Sequence, residues 1–274
     1  MTAAEKQEYI NRFNRLWKRY EAKYVPRLTE IIRAQVDTFI ASFRRSPTPL
    51  AANDIDALPM YELMRELYIG AGTDWAAVSQ AHITRQARRK SRRPIGFNQQ
   101  MFTLITAYFE RYLFNDVQGI TDTTRRNLLD IFVEAQRDGL SIDETVALFQ
   151  QYRLGMSVIR ARLIARTETI TAANTGAQLN AEQSELQLRK TWLATNDMRT
   201  RRDHAAMDDR QVGVNDTFMV AGSIPMKHPG DRGSEGQRTP ANQVCNCRCT
   251  CAYEVERDGD GRIIERNPGL RRRR

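Results

Sequence analysis

From residue 4 to about residue 185 the apolar side chains of this chain recur at three- and four-residue steps, a period that commits most of its length to amphipathic helices. Tyr9, Phe13, Leu16, Trp17, Tyr20 and Tyr24 begin the stripe, and Leu28, Ile31, Ile32, Val36, Phe39 and Phe43 continue it beyond Pro26, which predicts a break or kink there. SPTPLAAND, residues 46 to 54, reads as a loop. Leu63, Met64, Leu67 and Tyr68 predict a short second helix ending at the Gly-Ala-Gly of residues 70 to 72. Thr73 and Asp74 then cap a third helix through Trp75, Val78 and Ile83 that stops before Pro94. Phe102, Ile105, Phe109, Tyr112 and Leu113 predict a fourth helix. Leu128, Leu129 and Phe132 predict a fifth, with Gly139 as its stop. Ser141 with Glu144 forms a capping box for a sixth helix carrying Val146 and Phe149. A seventh runs from Ser157 to about Glu185 and turns rich in Ala, Thr and Asn, small residues that allow close helix packing.

The pattern changes after Leu186. Residues 188 to 195 read as a strand, 200 to 209 as a short helix, 211 to 220 as a hairpin-like strand region, and 244 to 255 as a strand. Residues 221 to 243 are too long and polar for a turn, and loops of that length inside a compact domain are usually functional. The expected fold is therefore mainly α: a long helical N-terminal region over residues 1 to 155, then a small α+β C-terminal domain over 156 to 256, then a basic tail over 257 to 274. No repeat of 20 to 50 residues argues for a solenoid. No apolar run approaches the roughly 20 residues that span a bilayer, and the first residues lack the apolar core of a secretory signal, so synthesis is expected in the cytoplasm.

All four cysteines stand at alternate positions, Cys245, Cys247, Cys249 and Cys251, and two of the three histidines, His204 and His228, fall in the same C-terminal region. In a reducing compartment such a cluster reads as metal ligands or as small buried hydrophobes before it reads as disulfides. Thiolate with imidazole is the ligand set zinc prefers. Against that, the chain has no C-x-x-C pair, and alternate cysteines also suit the inward face of a strand.

Asp203 with His204, and His228 with Asp231, have the composition of carboxylate-imidazole pairs. Neighbouring residues on a helix point apart, however, and the His-Pro-Gly-Asp of residues 228 to 231 is equally a turn. There is no nucleophile elbow, Gly-rich phosphate loop or H-E-x-x-H, so the chain is not expected to be an enzyme.

The formal net charge is +9, concentrated in two runs. Arg88, Arg89, Lys90, Arg92 and Arg93 form one, and Arg271, Arg272, Arg273 and Arg274 the other, and both are candidate contacts to nucleic-acid phosphates. A solvated helix face and a frayed tail are the plainer alternatives.

Taken in order, residues 157 to 253 resemble the head morphogenesis domain of tailed phages, the Mu F-type minor head protein family. The resemblance lies in the Arg-Thr-Glu of Arg166 to Glu168, in Trp192, in Asp197 with Arg199, Arg201 or Arg202 and His204, in Asp209 and Phe218, in the loop Pro229 to Asp231, and in the closing Asn246 to Cys249. It implies a structural component of the phage head, inside the virion, acting in assembly at the portal vertex and in DNA packaging or ejection. The implied partners are the portal protein, the major capsid or scaffolding protein and the phage double-stranded DNA, with no membrane in the assembled particle. Of a zinc set, His204, Cys247 and Cys249 match the family's positions; Arg202 to Ala205 stand where many members carry a C-x-x-C. Two other readings compete. One is a metal-dependent nuclease or toxin-like enzyme using His204, His228 and Asp231; the other is a simple nucleic-acid-binding protein.

Overall fold

The computed structural model describes residues 1 to 87, 97 to 234 and 237 to 266. Both basic runs, Arg88 to Arg93 and Arg271 to Arg274, lie outside the described residues. The fold is mainly helical, with a small sheet-bearing region at the C-terminal end. Long helices α1 (Ala3–Arg45), α2 (Leu58–Gln86), α3 (Phe97–Tyr108), α4 (Phe114–Arg137) and α5 (Ile142–Glu182) come first. A π-helical turn over Phe109–Leu113 joins α3 to α4. Then come β1 (Leu188–Leu193), α6 (Arg202–Ala205), β2 (Gln211–Gly213), β3 (Phe218–Val220), β4 (Ile224–Met226), β5 (Gly233–Ser234), β6 (Gln237–Arg238), α7 (Ala241–Val244) and β7 (Thr250–Val255). No helix among the described residues is long and apolar enough to cross a membrane.

Fewer, longer helices stand where the sequence pattern predicts breaks. Pro26 sits inside an unbroken α1, between the fully buried Tyr24 and Leu28, so burial of the stripe outweighs the one backbone hydrogen bond that proline cannot donate. Gly70 and Gly72 do not stop α2, and Asp74 pairs with Arg19 at 2.5 Å rather than capping a new helix. The reason for Gly72 is packing. A Cβ built on Gly176 of α5 would lie 2.2 Å from the Gly72 carbonyl oxygen and 2.6 Å from its Cα, so these helices touch backbone to backbone. The two helices expected from Ser141 and from Ser157 are likewise one, because Gly155 meets nothing within 4 Å and costs only helix propensity. Two of the expected helix ends do fall where the sequence places them. Ser141 and Glu144 exchange capping bonds, Ser141 N–H to Glu144 Oε2 at 2.8 Å and Glu144 N–H to Ser141 Oγ at 3.3 Å. Gly139, at φ +70°, closes α4.

The chain divides into two compact units. The second, Tyr20–Leu67 with Tyr108–Ala165, is all helical, and its core joins Val36, Phe39 and Phe43 of α1 to Leu128 and Phe132 of α4 and Val146 and Phe149 of α5. Phe149 meets Phe39 and Phe43 edge to face, with ring centroids 4.9 and 5.2 Å apart.

The first unit gathers Met1–Arg19, Tyr68–Ala107 and Arg166–Arg274. Its sheet has the order β2-β1-β7, antiparallel throughout, with Lys190 opposite Tyr253 and Trp192 opposite Cys251. Residues 211 to 220 are not a hairpin with themselves: β2 pairs with β1, whereas β3 pairs with β4. The cysteine ladder is not one strand either. Only Cys251 lies on β7; Cys245, Cys247 and Cys249 precede it in a turn that passes through Asn246 at φ +59°. Trp192 and Phe218, both buried, pack edge to face at 5.3 Å.

The close approach of α2 and α5 generates a prediction. Gly176→Ala cannot be relieved by a side-chain rotation and should destabilise the protein by about 3 kcal/mol. Gly72→Ala meets first the flexible end of Ile105, 2.8 Å away, and should cost much less, since alanine also gains about 1 kcal/mol of helix propensity. Denaturant midpoints of the two variants check the order.

Candidate metal centre

Four buried polar side chains of α5 position the site. Thr167, Glu168, Asn174 and Gln178 are each less than a tenth exposed, and each binds a segment that follows the helix. Thr167 Oγ1 accepts the Asn246 N–H at 2.9 Å, and Arg166 donates to the Asn246 side chain at 2.8 Å, which holds the left-handed residue that opens the cysteine turn. Glu168 accepts from Tyr68 Oη at 2.9 Å and from Arg232, a buried ion pair. Asn174 Nδ2 donates to the carbonyls of Pro229 at 3.0 Å and Cys249 at 3.1 Å, while its Oδ1 accepts from Thr250 Oγ1 at 2.8 Å. Gln178 Nε2 donates to the Val214 carbonyl at 2.7 Å. Unsatisfied, each of these buried groups would cost about 1–3 kcal/mol, so the loops cannot leave the helix cheaply.

The turn so held brings His204 of α6 to Cys247 and Cys249. Their ligand atoms lie within 4.8 Å of one another, and all three residues are buried. His204 Nδ1 is 3.5 Å from Cys247 Sγ and 3.6 Å from Cys249 Sγ. Zinc bonds of about 2.3 Å to sulfur and about 2.0 Å to nitrogen give a tetrahedron whose N···S edge is about 3.6 Å, so the two N···S spacings fit a shared ion as well as they fit S–H···N hydrogen bonds.

The protonation of the imidazole follows from its other side. Gln243 Nε2 is 3.1 Å from Asp203 Oδ2, a carboxylate oxygen that only accepts, so the amide nitrogen faces Asp203 and the amide oxygen faces His204. His204 Nε2, 3.0 Å from that oxygen, must then carry the hydrogen. Nδ1 is left with a bare lone pair aimed at both sulfurs. One lone pair serves one S–H donor well, whereas a cation between the three atoms satisfies all of them. The His204 ring is fixed further by an edge-to-face contact with Trp192 at 5.3 Å.

The two thiols are unequal. Hydrogen bonding from Cys249, chiefly its thiol and then its backbone N–H at 3.4 Å, holds Cys247 below the usual thiol range. Donating that bond, and burial, push Cys249 well above it. Cys247 is therefore the first to become thiolate, the form that binds metal. Cys251, fully buried on β7, is pushed up to about 12 by burial and lies outside the group.

The pairs that resembled catalytic dyads serve structure. His228 is buried, with Nδ1 3.1 Å from the Pro229 carbonyl and Nε2 3.4 Å from Thr175 Oγ1. Asp231 accepts the N–H groups of Lys227 at 2.6 Å and Gly233 at 3.0 Å, so Pro229 and Gly230 turn a loop that Asp231 ties. Asp203 does orient His204, but through Gln243 rather than directly. Gln243 was not legible as a site residue, since neither its type nor its spacing singles it out.

Three comparisons with known proteins bear on this site. The family model described as "Phage Mu protein F like protein" matches residues 128 to 252, which include α5 from residue 142 onward, His204 and both cysteines. Over this segment the chain is similar to the Mu F-like family. It is also similar to the minor head protein GP7 of Bacillus phage SPP1, 31% identical over 160 residues, covering 57% of this chain and 47% of that protein. A second relative is the NAD(+)--arginine ADP-ribosyltransferase EFV of Enterococcus faecalis (strain ATCC 700802 / V583), 28% identical over 140 residues, covering 49% of this chain and 27% of that protein. The chain thus spans about half the length of the first relative and about a quarter of the second. No solved structure matches. These matches support a phage minor head protein family.

Strand β1 also carries a buried lysine. Lys190 Nζ donates to Gln178 Oε1 at 3.2 Å and stands 5.6 Å from the Phe218 ring centroid. Burial lowers its pKa from 10.5 to about 8. Between those values the unfolded chain holds a proton that the folded chain has lost, so stability should rise as pH climbs from about 8 to 10.5. Lys190→Met should remove that part of the slope, as read by urea denaturation at several pH values.

Proposed function

We propose that the chain is a structural, non-enzymatic minor head component of a tailed phage, acting at the portal vertex and in DNA packaging or ejection. The observation that carries this reading is that the segment shared with phage head proteins is also the segment whose C-terminal half α5 knits into one unit around His204, Cys247 and Cys249. The relative GP7, a minor head protein, supports the same role. The portal protein, the major capsid or scaffolding protein and the phage double-stranded DNA are its proposed partners. A net charge of +9, with Arg88 to Arg93 and Arg271 to Arg274 as its densest runs, favours contact with DNA phosphates. The non-enzymatic part of the reading rests on His228 and Asp231 being committed to the loop.

In this reading His204, Cys247 and Cys249 hold a zinc ion. Two thiolates and an imidazole are a donor set zinc prefers, and the tautomer fixed by Gln243 presents the correct nitrogen. When bound, the metal supplies a cross-link between α6 and the cysteine turn, joining residues more than 40 positions apart in sequence.

The alternative is an enzyme, and the observation behind it is the relative named as an arginine ADP-ribosyltransferase. The shared part is about a quarter of that protein, which favours a common accessory domain over a common activity. Transfer of ADP-ribose from NAD to an arginine-bearing acceptor by the purified chain would overturn the structural reading.

Two measurements test the proposal. Expression with the portal protein of the same phage should yield a complex, and the chain should be recovered from DNA-filled particles; absence from both procapsids and virions rejects the role. Elemental analysis of the purified protein should find one zinc per chain. Cys249→Ala should abolish it, and Gln243→Ala, which frees the imidazole, should weaken zinc affinity about 10–100-fold in a chelator competition.

A further inference from the structure

His204, Cys247 and Cys249 supply three ligand atoms, and among the described residues no fourth histidine, cysteine or carboxylate joins them. Cys245 is close in sequence but its thiol is outside the group. Asp197 is engaged by two nitrogens of Arg248. A tetrahedral ion held by this trio therefore keeps one position that these residues do not fill, whereas purely structural zinc sites are closed by four protein ligands.

That position has somewhere to open. The three ligands line a small pocket together with Arg199, Arg201 and Arg248. Its volume is roughly 10 Å³, enough for a single oxygen donor of the size of a water molecule. The charge of the pocket is set by its rim. Two thiolates cancel a divalent ion and the imidazole is neutral, so the loaded centre adds nothing. Asp197 offsets Arg248. Arg199 and Arg201 have no carboxylate partner among the described residues, and Arg201 is fixed beside the site by donating to the Cys245 carbonyl.

We propose that the centre takes a small oxyanion as an exchangeable fourth ligand, one oxygen entering the pocket onto the metal and the rest meeting Arg199 and Arg201. This inference rests on the metal reading given above and deepens it: the site is a receptor for an anionic oxygen ligand as well as a cross-link. A phosphate and a carboxylate share this chemistry, and the experiment separates them.

The test uses the full chain loaded with cobalt(II), whose thiolate charge-transfer and ligand-field bands report every change of ligand. Inorganic phosphate and acetate are added separately at constant ionic strength. A saturable band shift with either anion is expected, and the anion that acts at lower concentration names the class. Arg199→Ala, at an exposed position whose side chain makes no hydrogen bond among the described residues, should raise the half-saturating concentration about tenfold, the loss of one charge-assisted hydrogen bond. Bands that ignore both anions overturn the inference, because the position is then closed by the chain. A changed cobalt spectrum in Glu235→Gln, a carboxylate outside the described residues, overturns it equally by naming the closing ligand. Failure of the metal reading looks different: elemental analysis finds no cobalt and no charge-transfer band appears, and the inference falls with it.

Discussion

One carboxamide, that of Asn174, spends its hydrogen bonds on pieces of chain that have little regular structure to hold them. It donates to the carbonyls of Pro229 and Cys249 and accepts from Thr250, at distances of 2.8 to 3.1 Å and with about 1% of the residue exposed. An aliphatic residue of the same size would take this partner from the Cys249 carbonyl and the Thr250 hydroxyl, at about 1–3 kcal/mol for each, and leave the Pro229 carbonyl with only His228 Nδ1. Thr167, Glu168 and Gln178 of the same helix repeat the device. The helix is thus a rigid template, and the loops around it take their shape from its side chains.

The candidate metal centre inherits this arrangement. Cys249 belongs to the turn that Asn174 grips, Asn246 at the head of that turn is gripped by Thr167, and neither thiol needs a strand to be placed. His204 is set by a separate chain of contacts, Asp203 to Gln243 to the imidazole. Two independent supports converge on three atoms. A ligand set built this way is preorganised, so metal binding need not also order the loop.

How much of this was legible in the sequence depended on the range of the interaction that decided each feature. The Ser141 and Glu144 cap, the Gly139 stop and the apolar stripe of α1 are fixed by neighbours within one or two turns, and the sequence pattern predicts them correctly. The division of α2 at Gly70 to Gly72 and of α1 at Pro26 fails because a local breaker was overruled by burial and by a helix distant in sequence. The cysteine ladder misled in a similar way: alternation has the period of a strand, but Asn246, held in a left-handed conformation by Thr167, turns it into a loop. His204, Cys247 and Cys249 were named through their place in a family order, and the structure brings them together. Gln243 had no such marker, since its role exists only once α7 has been laid beside α6.

The ordering of contacts along the chain also sets an order in time. The second unit draws only on residues 20 to 67 and 108 to 165, and it can close as soon as those have been made. The first unit cannot, because Tyr9 donates to the carbonyl of Cys251, a partner 242 positions away, and the amino terminus pairs with Glu254. Contacts of such span carry a large loop-closure entropy and form slowly. During synthesis the partners that Thr167 and Asn174 find at residues 246 to 250 therefore come late, after every residue of the all-helical unit has been made.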